Sequence, residues 1–195
     1  LGVLINGVPI NGMENGKVYW SNWSGLSDVS QFIQVQRGLG ASALGISSVG
    51  GTMNMVTKST EAQKGGSAYF GIGNDGFRKY SVSFSTGLMD NGWAITFMGA
   101  LNTGDGYVKG TNYEGWTYFG NISKVINDHH KLSLTAFGAP QWHNQRSTMH
   151  YIEDYKNSPD GGRFNNGYGY INGEAVGSGY GYNYYHKPQV SLNHY

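Results

Sequence analysis

The sequence has 195 residues, 32 of them glycine and none cysteine, with charged residues at 13% and a formal net charge of +1. Glycine at over twice its ordinary share of about 7% excludes a helical bundle, because each interior glycine costs a helix about 1 kcal/mol relative to alanine. Aromatic content of 14% excludes a disordered chain, scattered Lys and Arg give no basic stripe for a nucleic-acid partner, and no apolar run is long enough for a transmembrane helix.

Taken from the N-terminus, short apolar segments occur at Val3-Leu4-Ile5, Phe32-Ile33-Gln34-Val35 and Thr52-Met53-Asn54-Met55-Val56, separated by glycine-rich turns. Asn6-Gly7-Val8-Pro9 is a turn signal between two apolar stretches. These pieces predict a small mixed sheet. Met13 to Trp23 forms a loop carrying Tyr19, Trp20 and Trp23.

From Gly66 onward the pattern changes to period-2 alternation, the signature of strands with one apolar face. Tyr80, Val82 and Phe84 oppose Lys79, Ser81, Ser83 and Ser85; Trp93, Ile95, Phe97 and Leu101 oppose Thr96 and Asn102. Trp116, Tyr118 and Ile122 oppose Thr117, Asn121 and Ser123, Leu132 and Leu134 oppose Ser133 and Thr135, and Val190 and Leu192 oppose Ser191 and Asn193. With Ala68–Ile72 this makes six expected strands, each near the ~9–11 residues that cross a hydrocarbon layer.

Tight turns at Met89-Asp90-Asn91-Gly92 and Asn127-Asp128-His129 alternate with longer connections, about Asp105 to Glu114 and Gln141 to Tyr184. Only the Asn74-Asp75-Gly76 hairpin is short where a long loop is allowed. Short turns at one end and long loops at the other match a transmembrane barrel with periplasmic turns and extracellular loops. Ser, Thr, Asn and Gln on the inward positions suit a wet lumen, and Trp93, Trp116 and Trp142 mark both interfaces. On composition and alternation alone, a soluble Tyr/Gly-rich β-sandwich with a carbohydrate-binding or adhesin role is an equal alternative.

Four blocks then narrow the choice: Val3-Leu4-Ile5-Asn6-Gly7-Val8-Pro9-Ile10-Asn11, Ile33-Gln34-Val35-Gln36-Arg37-Gly38, Gly40-Ala41-Ser42-Ala43-Leu44-Gly45 and Val49-Gly50-Gly51-Thr52-Met53-Asn54-Met55-Val56-Thr57-Lys58. In this order and spacing they resemble the C-terminal half of the plug domain of TonB-dependent outer-membrane receptors. The resemblance implies a mostly β chain, a fragment of a 22-stranded antiparallel transmembrane β-barrel with a small mixed α/β plug in its lumen. It divides the chain into half of the plug (1–58), a linker (59–66) and the first six barrel strands (67–195) with a long extracellular loop at about 143–184.

The implied function is import across the outer membrane of a Gram-negative bacterium of a scarce bulky solute: a siderophore, haem, cobalamin or an oligosaccharide. The implied partners are that solute at the extracellular face, outer-membrane lipid and lipopolysaccharide, and a TonB-ExbB-ExbD complex acting through an N-terminal box expected upstream of Leu1. A surface lipoprotein partner, as in the starch-utilisation branch, is weighed against by Arg37-Gly38, where that branch usually has Lys-Asp.

The resemblance also assigns Arg37, with Gly38, to anchoring the plug against carboxylates of the barrel wall; a planar guanidinium makes bidentate bonds to carboxylate. Gly38, Gly40, Gly45, Gly50 and Gly51 are expected in tight turns. Tyr19, Trp20 and Trp23 are candidates for stacking on a ligand ring, with packing against the barrel wall as the equal alternative. His143, His150 and Asp154 follow no metal-ligand spacing, the glycine run lacks the Lys-Ser/Thr ending of a phosphate loop, and no carboxylate pair suggests glycan hydrolysis. No metal, cofactor or enzymatic activity is expected.

Overall fold

The computed structural model describes residues 1–38, 48–146, 149–176 and 182–195. The first part folds as a four-stranded sheet of β1 (Gly2–Ile5), β2 (Val8–Pro9), β3 (Ser30–Gln36) and β4 (Thr52–Thr57), in the order β2-β1-β4-β3. β1 and β4 run parallel while the outer pairs are antiparallel, so the sheet is mixed. Asn6 and Gly7 turn β1 into β2 with φ of 50° and 82°, the left-handed pair that an Asn-Gly hairpin supplies. Between β2 and β3 lie a 3-10 turn, Trp20–Trp23, and the one-turn helix α1, Leu26–Val29.

The second part is an antiparallel wall. β5 (Gly65–Ile72), β6 (Arg78–Leu88), β7 (Trp93–Gly104), β8 (Tyr113–Asn127) and β9 (His130–Gly138) pair in sequence order. β10 (Gln141–His143) continues β9 along the same edge of β8, and Pro140 between them still accepts a bond from Trp116 N–H at 2.8 Å. After the hairpin β11 (Gly169–Ile171) and β12 (Glu174–Val176), β13 (Asn183–Tyr185) pairs with β10 and β14 (Gln189–His194) with β9. Pro140 and Pro188 thus interrupt two long strands side by side, because proline has no N–H to offer the ladder.

All six expected strands are present, though their lengths spread further than the sequence suggests: β8 runs 15 residues and β14 runs 6. The described residues between Gln141 and Tyr184 also hold more structure than a plain loop. It opens and closes on wall strand, carries the helix α2 (Ile152–Asn157), started by Tyr151 N–H donating to Asp154 Oδ2 at 3.0 Å, and forms the β11–β12 hairpin. Asn172 and Gly173 turn that hairpin at φ 52° and 84°, a second Asn-Gly signal in the sequence.

Alternation decides which face of the wall is which. Tyr80, Val82, Phe84, Ile95, Phe97, Val190 and Leu192 are all exposed, while Thr96, Asn121, Ser123, Ser133 and Thr135 are buried on the other face. The register lines the exposed residues into rows, such as Ile95–Ile122–Leu134–Leu192. The small sheet packs against the inner face: Val3, Ile5, Leu26, Val29 and Met55 form one core with Met98, Ala100, Phe119, Phe137 and Ala139 of the wall.

Candidate ligand cleft and the seam between the small sheet and the wall

The seam between the two parts is mostly polar around that apolar centre. Trp23 stacks on Phe137 with ring centroids 6.0 Å apart and planes 16° from parallel. Thr117 Oγ1 donates to the Ser24 carbonyl at 3.0 Å, the hydroxyls of Ser59 and Ser123 meet at 3.0 Å, and Lys79 Nζ lies 2.7 Å from Asp28 Oδ2. Lys58 Nζ donates to the Asp28 carbonyl at 3.0 Å. Above and below these contacts, hydroxyls pair along the wall: Ser67 with Ser83 at 2.8 Å, Thr96 donating to Ser85 at 3.0 Å, and Asn121 donating to Ser133 and Thr135 at 2.9 and 2.8 Å. A gap of about 470 Å³ separates Asp28 and Lys58 from the hydroxyls of Ser67, Ser83, Ser85 and Thr96.

At the long-loop end the seam opens into a cleft of about 380 Å³, inside the ~300–1,000 Å³ range of small-ligand sites. Ser21 and Ser24 of the 3-10 turn line one side, and Asn102, Tyr113, Gln141 and Asn144 of the wall line the other. The 7% exposed Gln141 and 8% exposed Asn144 leave Nε2 and Oδ1 respectively without a hydrogen-bond partner among the described residues. Asn22, in the same 3-10 turn, is 4% exposed with Oδ1 likewise unpartnered. Unpaired buried amides each cost about 1–3 kcal/mol, so the two that line the cleft, Gln141 and Asn144, are a donor and an acceptor left over for something that enters it.

The long segment folds back over this end. Arg163 Nη2 meets Asp75 Oδ1 at 2.7 Å, and its guanidinium lies 4.9 Å from the Tyr107 ring. Lys109 Nζ meets Asp160 Oδ1 at 2.5 Å, and Asn165 Nδ2 donates to the Lys109 carbonyl at 2.7 Å. The short Asn74-Asp75-Gly76 hairpin, anomalous in the sequence, is the post to which Arg163 ties the segment.

The candidate residues divide. Tyr19 and Trp20 are exposed and do not line the cleft, though Trp20 precedes its Ser21 in the same 3-10 turn, whereas Trp23 is half-buried on Phe137, the wall-packing alternative. Arg37 follows the edge strand β3, is exposed, and has no ion-pair partner among the described residues. Gly38 and Gly51 have φ of 69° and 87°, and a Cβ on Gly51 would strike the Gln36 carbonyl; Gly50 lacks positive φ, and Gly40 and Gly45 lie outside the described residues. His143 Nδ1 bonds Gln141 Oε1 at 2.8 Å and His150 Nδ1 is 3.8 Å from Asp154, with no three-ligand metal cluster among the described residues.

Alternation did not mark Met98, Phe119 and Phe137 as seam residues. Their signal is nonetheless present: Phe97-Met98, Tyr118-Phe119 and Ala136-Phe137 are apolar doublets that break alternation at one register level. Leu26 and Val29, in a one-turn helix too short for periodicity, gave none.

No protein-family model matches the sequence. Solved structures do. The chain superposes on the ferric-catecholate import receptor Fiu of E. coli K12 with a TM-score of 0.61 at 17% identity, covering 77% of this chain and 22% of that one. It superposes on the siderophore receptor PiuA of Acinetobacter baumannii at 0.59 and 18% identity, covering 77% and 20%. On the ferripyoverdine receptor of the outer membrane of Pseudomonas aeruginosa the values are 0.57 and 14%, covering 77% and 22%. The chain spans about a fifth of the length of these receptors. With its mixed sheet packed on the hydroxyl face of an antiparallel wall, the chain has the fold of a segment of siderophore import receptors.

Proposed function

We propose that the chain is part of a TonB-dependent receptor of the Gram-negative outer membrane, with residues 1–58 as half of the plug, 59–66 as linker and 67–195 as the first strands of a 22-stranded barrel. The observation that carries this reading is the two-faced wall: apolar rows left exposed on one side, and on the other a hydroxyl-lined face that a second, mixed sheet already occupies. A sandwich domain in water would cover the apolar rows and expose the polar ones. The receptor imports a bulky solute, taken at the cleft between the 3-10 turn and the wall. Tyr19 and Trp20 supply ring contact, and Gln141 and Asn144 supply the unpaired donor and acceptor. Arg37, exposed just after β3, anchors to carboxylates of the remaining wall. An energising complex at the periplasmic side moves the plug, which slides along the polar parts of the seam and parts the apolar centre between Val3, Ile5, Leu26, Val29 and Met55 and the wall.

The test is uptake by cells carrying the full-length protein. Gln141→Leu and Trp20→Ala should lower uptake of its solute while leaving the folded barrel in the outer membrane. A full-length protein that stays in the aqueous phase without detergent would refute the reading.

A further inference from the structure

We propose that the cleft between the 3-10 turn and the wall takes an uncharged, polyhydroxylated solute, a neutral saccharide, rather than an anionic ferric chelate. The inference rests on the cleft being the solute site of the proposed receptor, and it names the chemistry of what enters. Two inward rows of the wall build the site. Asn102, Gly115 and Gln141 lie opposite one another across β7, β8 and β10, and Gly104, Tyr113 and His143 form the next row toward the long loops. Gly115 has no side chain, so the amides of Asn102 and Gln141, two strand spacings or roughly 10 Å apart along the row, border a gap. Tyr113 covers Gly104, where a Cβ would lie 2.6 Å from the tyrosine hydroxyl, and lines the cleft.

The side chains that face this space are neutral. Asn102, Tyr113, Gln141 and His143 come from the two rows, Asn144 follows them, and Ser21 and Ser24 stand opposite. Glu114 borders the cleft too, but it pairs with Trp142 in the register, alternating with the inward Tyr113 and Gly115, and its Oε1 accepts from Trp116 Nε1 at 2.9 Å on the other face. An anion entering here therefore meets no Lys or Arg among the residues that line the cleft.

The unused hydrogen-bonding groups are of both kinds. Gln141 Nε2 needs an acceptor, and Asn144 Oδ1 needs a donor, its own Nδ2 being given to Asn112 Oδ1 at 2.8 Å. His143 Nδ1 donates to Gln141 Oε1 at 2.8 Å, which leaves Nε2 of the neutral ring as a further acceptor. The deprotonated oxygens of a ferric catecholate only accept, so they would leave the Asn144 oxygen unpaired. A sugar hydroxyl donates and accepts through one oxygen, and the C–H face of a sugar ring can lie on the ring of Tyr113. A peptide fits less well. β8 and β10 are paired along both edges at this level, so no strand edge is free to take a peptide backbone.

The experiment presents the full-length protein, in mild detergent, to an array of neutral and anionic oligosaccharides, with a ferric tris-catecholate and a library of peptides blocked at both ends as further probes. Wild type should hold neutral oligosaccharides, with affinity changing less than about twofold between about 0.05 and about 0.5 M NaCl, because no ion pair is made. Gln141→Leu and Asn144→Leu should each weaken that binding by about tenfold, the loss of one hydrogen bond. Ser67→Ala, in the separate gap beside Asp28, should not differ. Folding is checked by heat-modifiable mobility; where an amide variant does not fold, Ser21→Tyr, at an exposed position lining the cleft, replaces it and should block binding. Failure of every neutral oligosaccharide to bind, retention only of the anionic sugars, the chelate or the peptides, or unchanged affinity in the variants would each overturn the proposal. Protein that needs no detergent defeats the receptor reading, whereas detergent-dependent protein that holds the ferric chelate through Gln141 defeats the saccharide assignment alone.

Discussion

Lys79, on an inward position of β6, places its ammonium 2.7 Å from the carboxylate of Asp28 in the one-turn helix α1. Both side chains are about a quarter exposed, at 24% and 28%, so solvent screens the pair only in part. A double-mutant cycle with Asp28→Asn and Lys79→Met, read from denaturant unfolding of the full-length protein, should show coupling of about 1 kcal/mol, between an exposed pair and a buried one. Additive effects would mean that the pair does not hold the seam.

Gly25 approaches the wall more closely than any side chain allows. Its φ is 77°, and a Cβ there would lie 2.7 Å from Thr117 Cγ2. Gly25→Ala should destabilise the full-length protein by about 1–3 kcal/mol. Adding Thr117→Ala should recover part of that loss, because it removes the two nearest atoms, Cγ2 and Oγ1, and leaves the backbone strain, the 3.0 Å approach of the Thr117 Cβ and the lost bond to the Ser24 carbonyl. No recovery would show that the two surfaces are not in register here.

Trp20 and Trp23 are three residues apart and take opposite roles. Trp23 and Phe137 stack in the core, so Phe137→Ala should cost about 3–5 kcal/mol. Trp20 is exposed, and Trp20→Ala should change stability by less than about 0.5 kcal/mol while weakening solute binding. Unfolding midpoints and a binding isotherm on the same preparations separate the two effects.

Glu61, in the segment between the two sheets, lies 3.4 Å from Lys131 Nζ. Partial burial pushes its carboxyl up, but its backbone hydrogen bond and the Lys131 charge outweigh this and hold it below its ordinary value. A depressed carboxylate contributes stability above its unfolded value, near 4.3, and loses it as pH falls through the folded value. Because the side chain is 62% exposed, the contribution is a few tenths of a kcal/mol. Glu61→Gln should therefore unfold slightly more easily than wild type at pH 7, with the difference vanishing near pH 3. A constant difference across that range would contradict the assignment.

The wall was legible because its chemistry repeats every second residue over many turns of the chain, and Tyr80-Val82-Phe84 against Ser81-Ser83-Ser85 leaves one register. The seam was harder to read. Asp28 meets Lys79 and Trp23 meets Phe137 across 51 and 114 residues of sequence, and no local pattern carries such pairings. The long segment gives no periodic signal because its elements are short, although Asn172-Gly173 marks the hairpin. The cleft amides were hidden for another reason: Gln141 and Asn144 are ordinary polar residues until their neighbours fail to pair with them.

The central claim is that the apolar rows of the wall face lipid and the hydroxyl rows face a plugged lumen. Ile95→Cys and Thr96→Cys, adjacent on β7 and pointing to opposite faces, can each carry a spin label in the full-length protein reconstituted in bilayers, with any cysteine outside these 195 residues replaced by serine. The account predicts that the label at 95 collides freely with lipid-soluble oxygen and not with a water-soluble nickel complex, while the label at 96 is immobile and shielded from both. A label at 95 that meets the nickel complex as readily as oxygen would contradict it.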